Sequence, residues 1–192
     1  MSLDDMLEEM LRKKSNVPRV NASQSVKVDD EILNPEYENA LNETEKSVVI
    51  DVLTTHSELY NTDSSVKNNK RIRLWNKIVK RMPKCTKHSV YRYLNSHDKM
   101  DMKIGDVFRV KHCLTATRIG RGFMPASKWV GKYIIRCKPV NTTMAHDISI
   151  LWSPKYSILK GEEQVNFEIG ATFSVDSIKM VNHKPYIYMH EI

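Results

Sequence analysis

The sequence predicts an α+β fold in which helices come first and a sandwich-like β core follows. Residues 42–82 carry two apolar stripes at helical spacing, and Pro83 ends the second stripe. After Pro83 the chain changes to short runs of β-branched and aromatic residues, which turn residues separate. Helices followed by many short strands are typical of an α+β domain. The 192 residues suffice for one domain with a proper core and an appendage.

The first 34 residues are expected to be the appendage, and we place the main domain at residues 35–192. Residues 3–13 have leucine and methionine at helical spacing and predict a short amphipathic helix. Residues 14–34 lack a clean period and contain Pro18, so we interpret them as a linker arm. The helix either docks on the main domain or binds a partner, and the sequence leaves both open.

Two longer helices are expected to open the main domain. The first begins near Asn42, where Glu45 three residues on gives a capping-box-like start. The second spans residues 66–82. The residues expected to face the core are Val48, Val49, Val52, Leu53 and Leu59 in the first helix, and Ile72, Trp75, Ile78, Val79 and Met82 in the second.

The β-like runs after Pro83 are expected to form the sheets. Alternating or continuous apolar patterns between turn residues define them. They lie at residues 89–93, 107–110, 133–137, 148–151, 165–167, 172–175 and 186–189.

Composition excludes several classes of protein. No run of about 18 apolar residues exists, so no transmembrane helix is expected. The acidic N-terminus lacks the features of a signal peptide, and we expect the protein to stay in the cytoplasm of the cell that makes it. The three cysteines have no CxxC spacing and the histidines form no ligand motif, which argues against disulfides and a metal site.

The net charge of +7 favours acidic partners. Residues 67–92 contain no acidic residue, and such a run could contact the phosphates of a nucleic acid. Only Trp75 and Tyr91 supply aromatic rings there, so the run is no base-stacking platform. An acidic protein surface and a plain solvated face are the alternatives.

Three separate groups of residues suggest chemistry. They are an arginine on a strand, a hydroxyl cluster on a second strand and a carboxylate cluster that opens a third. A site that cleaves NAD needs such parts. A fixed cation holds the pyrophosphate, a hydroxyl orders the site, and a carboxylate stabilises the positive charge that develops as nicotinamide leaves.

The sequence resembles the Arg-Ser-Glu class of mono-ADP-ribosyltransferases, which includes bacterial toxins and enzymes of T4-like phages. The resemblance covers roughly residues 40–192. It rests on three motifs in order, VYR at 90–92, the stretch MKIGDVFRVKHCLTATRI at 102–119 and GEEQVNFEIGATFSV at 161–175. It implies two packed antiparallel β-sheets behind the helices, NAD as cofactor and a protein as the target of modification.

The resemblance also implies roles for single residues. Arg92 matches the arginine that anchors NAD, with a solvent-facing strand arginine as the alternative. Thr115 and Thr117 match the outer positions of the hydroxyl motif, which orders the site around NAD, and Ala116 fills the middle position. Glu162 matches the first acidic residue of the ExE pair, which assists the acceptor.

The fit departs from the family at the catalytic position. The glutamate expected there falls on Gln164, which can form hydrogen bonds but carries no negative charge. Glu163 stands next to it, and neighbours on a strand point to opposite faces unless a bulge turns one of them. Tyr93 replaces the usual glycine after the arginine and could crowd the NAD pocket.

Further residues could belong to the same site. The loop at residues 157–161 would face the acceptor, with Tyr156 beside it. Phe123 and Trp129 follow the hydroxyl strand, where an aromatic ring could stack on nicotinamide, although core packing is the preferred interpretation of both.

Three hypotheses for function follow. The chain is an active NAD-dependent mono-ADP-ribosyltransferase, phage-encoded and directed at host proteins. Alternatively it is an inactive relative that keeps the fold as a binding or structural module, in the host cytoplasm or the virion. The third hypothesis is a basic nucleic-acid-binding protein.

Overall fold

The computed structural model describes residues 32–55, 66–96, 98, 100–112, 114–120, 129–153 and 163–192. The predicted helix and arm at residues 1–31 lie outside these ranges. Residues 32–34 contact the main body, where Leu33 pairs with Trp152 and the Asn34 amide donates to the Leu151 carbonyl at 2.9 Å.

Three helices open the described part of the chain. They are α1 (Pro35–Glu38), α2 (Glu43–Thr55) and α3 (Val66–Arg81). The predicted capping box is present, because the Glu45 amide donates to Asn42 Oδ1 at 2.9 Å and the Asn42 amide donates to Glu45 Oε2 at 3.1 Å. The short α1 was not predicted, and Asn34 caps it ahead of Pro35.

Eight strands follow the helices. They are β1 (Ser89–Leu94), β2 (Val107–Arg109), β3 (Leu114–Thr117), β4 (Gly131–Arg136), β5 (Ala145–Asp147), β6 (Gln164–Phe167), β7 (Thr172–Val181) and β8 (Lys184–Glu191).

The predicted strand at residues 148–151 is wrong. Ser149–Leu151 form a 3-10 helix, and the strand of this region is β5, just before it. In the apolar run IxIL, Ile148 and Leu151 are buried and pack among the helices. The Ile148 amide donates to the Gln164 carbonyl of β6 at 3.1 Å, but Ser149–Leu151 do not continue as a strand. An apolar run shows burial and does not by itself separate a strand from a helical turn.

The strands form one continuous sheet in the order β2-β7-β8-β4-β1-β3-β6-β5. All neighbours are antiparallel except β4 and β8, which are parallel. The sheet has two halves, β2-β7-β8-β4-β1 and β3-β6-β5, and the single residue pair Tyr91–Thr117 joins them. The α+β class is confirmed.

The sheet folds over itself around a core. Phe167 of β6 and Phe173 of β7 are far apart in the strand order, yet their rings lie 4.9 Å apart and edge to face. The two halves therefore pack against each other, as the predicted pair of sheets would. A second core lies between the helices and the 149–152 segment, with the fully buried Trp75 in it.

The predicted core residues of the two long helices are confirmed wherever their side chains are described. All of the described residues predicted to face inward are buried, namely Val48, Val49, Val52, Ile72, Trp75, Ile78, Val79 and Met82. Leu59 lies outside the described residues, and the side chain of Leu53 is not described. Among the described residues, no helix is long and apolar enough to cross a membrane.

Candidate functional site

Arg92 lies on β1, opposite Tyr133 of β4, on the face of the sheet that encloses the core. Its side chain is 24% exposed. Nη1 donates to the carbonyl oxygen of Thr115 at 3.1 Å and to its hydroxyl oxygen at 3.0 Å. The structure thus brings together two of the residues that the sequence singled out.

The split between the two halves of the sheet explains this contact. β1 and β3 pair only at Tyr91–Thr117, and Thr115 lies beyond that pair on β3. At Thr115, the side chain of Arg92 donates to the carbonyl oxygen in place of a backbone amide of β1. A half-buried carbonyl away from a paired strand is stabilised by such a partner, and a guanidinium supplies it while keeping further donors.

Asp98 balances the charge of Arg92. Its Oδ1 accepts from Arg92 Nη2 at 3.2 Å, and its Oδ2 accepts from the Asn95 amide at 2.8 Å in the turn that follows β1. One arm of the guanidinium is therefore engaged by a carboxylate of the same chain. An anionic ligand must share or displace this contact.

The hydroxyl motif divides between the two faces of β3. Ala116 is buried in the sheet core, opposite Val165 of β6, so its side chain takes a core position where a hydroxyl would need a partner. Thr117 lies opposite Gln164, and both are buried. The Thr117 hydroxyl accepts from the Ile119 amide at 3.1 Å and so fixes the start of the following loop.

Glu163 has a backbone conformation that L-residues rarely adopt. Its φ is +36°, and it immediately precedes β6. The strict alternation of strand residues therefore does not apply to it. Its side chain is 45% exposed, and Oε2 lies 3.2 Å from Arg118 Nε. That contact is an ion pair without hydrogen-bond geometry, since no acceptor is aligned with the buried Nε.

Arg118 is a residue that the sequence analysis missed. Nη1 donates to Asp147 Oδ2 at 2.7 Å, Nη2 donates to the Ser149 hydroxyl at 3.3 Å, and its backbone amide donates to the Glu163 carbonyl at 3.1 Å. Arg118 thus ties the end of β3 to β5 and to the start of β6. Its place directly after the hydroxyl motif is the only sequence signal that could have found it.

Tyr93 points away from Arg92, because neighbours on a strand face opposite sides. Its hydroxyl donates to the Gly120 carbonyl at 3.0 Å. Its ring packs edge to face on Trp129 at 5.4 Å. Trp129 therefore lies in a half-buried aromatic cluster and not in the core, and the side chain of Tyr93 leaves the face of Arg92 free.

Other predicted site residues lie outside the described part of the chain. They are Glu162, the loop at 157–161, Tyr156 and Phe123. Within the described ranges, no group of three metal-ligating side chains could hold a metal ion. Cys85 and Cys137 are free and buried.

In the folded chain, carboxylates neutralise part of the positive charge of the basic stretch 67–92. Several of its cations form ion pairs with carboxylates from other parts of the chain. The pairs are Arg71–Asp51, Lys80–Glu168, Arg81–Glu45, Lys84–Glu168 and Arg92–Asp98. The exposed cations Lys70, Arg73 and Lys77 remain on α3.

Solved structures that are similar to this fold include ADP-ribosyltransferases. The Vis toxin of Vibrio splendidus, in complex with the M6 inhibitor, has a TM-score of 0.55 and 17% identity, over 100% of this chain and 86% of that one. The C3 exoenzyme of Clostridium limosum has a TM-score of 0.59 and 11% identity, over 79% and 86% of the two chains. The chain therefore has the ADP-ribosyltransferase fold.

A larger toxin has a similar fold over part of its length. The ADP-ribosylating toxin BECa of C. perfringens, with NADH, has a TM-score of 0.62 and 13% identity, over 82% of this chain and 45% of that one. Neither a protein-family model nor a curated protein sequence matches the chain.

Proposed function

We propose that this chain binds NAD and transfers its ADP-ribosyl group to a protein, as a mono-ADP-ribosyltransferase. The observation that carries the proposal is the Arg92–Thr115 contact at the split of the sheet, in a fold that known ADP-ribosyltransferases share. The structural neighbour BECa was determined with NADH, which favours a dinucleotide as the ligand of the fold.

The residues around Arg92 fit a dinucleotide. A guanidinium offers planar, forked donors that match phosphate oxygens, and the Thr115 hydroxyl beside it can both donate and accept. Arg92 would hold the pyrophosphate, and this requires Asp98 to release or share one arm of it. When bound, NAD would supply the ADP-ribosyl group and nicotinamide as leaving group.

Glu163 is the residue that we propose as the source of negative charge. Gln164 stands at the family's catalytic position, but its amide is neutral, and its buried place opposite Thr117 suits an orienting hydrogen bond. Glu163 carries a charge and is 45% exposed, and its positive φ removes the alternation that would set it opposite to Gln164. Its Oε2 is only ion-paired with Arg118, and such a partly exposed contact is weak.

The first test follows label from NAD into protein. The purified chain is incubated with labelled NAD and a host-cell lysate, beside Arg92→Ala and Arg92→Lys. Loss of an aligned cationic donor is expected to reduce labelling about a hundredfold or more in the alanine variant. The lysine variant should also label less than the unchanged chain, because a single ammonium cannot reproduce the fork. Equal labelling by all three proteins would refute the proposal.

A second test locates the carboxylate. Glu163→Gln removes the charge with little change in size and should abolish labelling, whereas Gln164→Ala should reduce it less. Gln164→Glu places a carboxylate at the family's position. If labelling survives in Glu163→Gln and rises in Gln164→Glu, the charge acts from position 164 and the assignment of Glu163 is wrong.

An inactive binding module is the second candidate. Asp98 on the proposed NAD anchor and the neutral Gln164 favour it. In that case no protein is labelled and NAD leaves the melting temperature unchanged. A phage origin and a host protein as target belong to the transferase proposal, and labelling of a discrete host protein would support them.

A further inference from the structure

The outer face of the larger half of the sheet carries two rows of tyrosine and lysine. One row runs across β1, β4, β8 and β7 as Tyr93, Lys132, Tyr186 and Lys179, and the next as Tyr91, Ile134, Tyr188 and Ser177. We call these eight residues the tyrosine face. Because faces alternate along a strand, it lies opposite to the face of Arg92.

Lysine side chains lie against these rings. Lys132 Nζ is 4.7 Å from the ring centroid of Tyr91, 5.0 Å from that of Tyr93 and 5.4 Å from that of Tyr186. At one edge, Lys179 Nζ is 5.2 Å from the ring of Tyr188. The four tyrosines are half-buried, so each residue is partly exposed.

The face has a positive charge. Its two rows contain no carboxylate. Lys132 is 7% exposed and donates to the Gly120 carbonyl at 2.9 Å, whereas Lys179 is exposed. In the next row the exposed Arg136 lies between Ser89 and His190. The nearby Asp176, at the bulge of β7, is paired with His190 at 2.7 Å. Cations therefore flank the rings on two sides.

The helices contact the other half of the sheet. Trp75 of α3 donates to Asn166 of β6 at 3.4 Å, and Asn76 accepts from the Ile169 amide at 2.8 Å. On the tyrosine face itself, Gly120 lies so close to Tyr91 that a Cβ would be 3.1 Å from its ring. Tyr186 and Tyr188 lie further along the face, on β8, and the ring of Tyr186 lies 5.9 Å from that of Trp129.

We propose that the tyrosine face binds single-stranded nucleic acid. Bases stack on tyrosine rings whatever their sequence, while Lys179 and Arg136 contact phosphates on either side. A protein partner is less well matched, since a face with cations and no carboxylate suits a polyanion, and tyrosines in neighbouring rows suit a series of bases. The proposal is independent of the transferase activity.

Binding is measured with the full chain and fluorescein-labelled oligouridine and oligothymidine of about 12 nucleotides, a length within the usual range of such sites. Anisotropy is followed at low salt and again as salt rises. Tyr186→Ala and Tyr188→Ala are each expected to weaken binding roughly tenfold, because a stacked base is lost. Tyr186→Phe and Tyr188→Phe keep the ring and should bind as the unchanged chain does.

The salt dependence tests the cations. Lys179→Ala and Arg136→Ala should each lower the slope of log K against log salt by about 0.7, the value for one phosphate contact on a single strand. A control pair on α3, Lys70→Ala with Lys77→Ala, should leave binding unchanged. If the α3 variants weaken binding and the tyrosine variants do not, the basic helix is the site and the proposal fails.

Further outcomes also decide the matter. No binding of either oligonucleotide at low salt overturns the proposal, even if a protein from a lysate is retained by the face. If heparin binds as tightly as the oligonucleotides and the alanine variants have no effect, binding is due to charge alone. That result would also overturn the proposal. Melting curves identify any alanine variant that fails to fold. If one of the two tyrosine variants does not fold, the binding measured with the other variant tests the proposal. Tyr188→Ala should leave NAD-dependent labelling unchanged, so the two proposals fail separately.

Discussion

At the scale of single residues, the proposed site depends on how Arg92 shares its donors. Arg92 and Thr115 could be predicted because each occupies a fixed place in a motif. Asp98 could not, because its role depends on the turn after β1, which brings a carboxylate six residues on back to the guanidinium. Arg118 was missed because its partners, Asp147, Ser149 and Glu163, are remote in sequence.

Asp98→Asn is expected to tighten NAD binding. The variant removes the carboxylate that engages Arg92 Nη2 but keeps an acceptor for the Asn95 amide. A partly exposed ion pair contributes about 0.2–1 kcal/mol, so affinity should rise up to roughly fivefold. Isothermal titration calorimetry measures it, with the exposed Asp101→Asn as control. Weaker binding to Asp98→Asn would mean that Asp98 orients Arg92 instead of competing for it.

At the scale of elements, the sequence predicted the features that contacts between nearby residues stabilise. The start of α2 was readable because both partners of its capping box lie within four residues. The 3-10 helix at Ser149–Leu151 was not, because tertiary packing decides its form. Gly170, at φ +98°, could be placed in the last motif, but only the structure shows the turn that it makes before β7.

Asn42→Ala should destabilise the protein by about 1 kcal/mol, the usual cost of losing an N-cap. The Glu45 amide loses its acceptor, while Glu45 keeps its contact with Arg81 at the end of α3, at 2.8 Å. Urea unfolding of the two proteins gives the difference. The control is Thr44→Ala, an exposed position in the first turn of the same helix. If both variants lose the same stability, the cap is not the cause.

At the scale of the whole molecule, a buried polar cluster joins the two cores. His146 of β5 is 2% exposed. Its Nδ1 lies 2.7 Å from the Met82 carbonyl after α3, and its Nε2 lies 2.7 Å from Glu168 Oε1 after β6. Lys84 Nζ lies 3.1 Å from the same carboxylate oxygen. No motif marks this cluster, since its members are brought together from three segments only by folding.

Glu168 makes the stability of this junction depend on pH. Burial raises the pKa of Glu168, but hydrogen bonds from His146 and Lys84 outweigh it and hold the pKa below the ordinary value of 4.5. A carboxyl whose folded pKa is depressed stabilises the fold above its unfolded pKa, and this contribution is lost as pH falls through the folded pKa. The loss should therefore occur below about pH 4.5.

Melting temperatures between about pH 6 and about pH 3 test this linkage. The unchanged protein should lose stability across the lower part of the range. Glu168→Gln should melt lower at neutral pH, because Lys84 and His146 lose a charged partner, and should change less as the pH falls. Glu36→Gln, at an exposed position of α1, serves as control and should retain the full pH dependence. If Glu168→Gln loses stability below pH 4.5 as steeply as the unchanged protein does, other carboxylates govern acid unfolding and the junction is not the sensitive point.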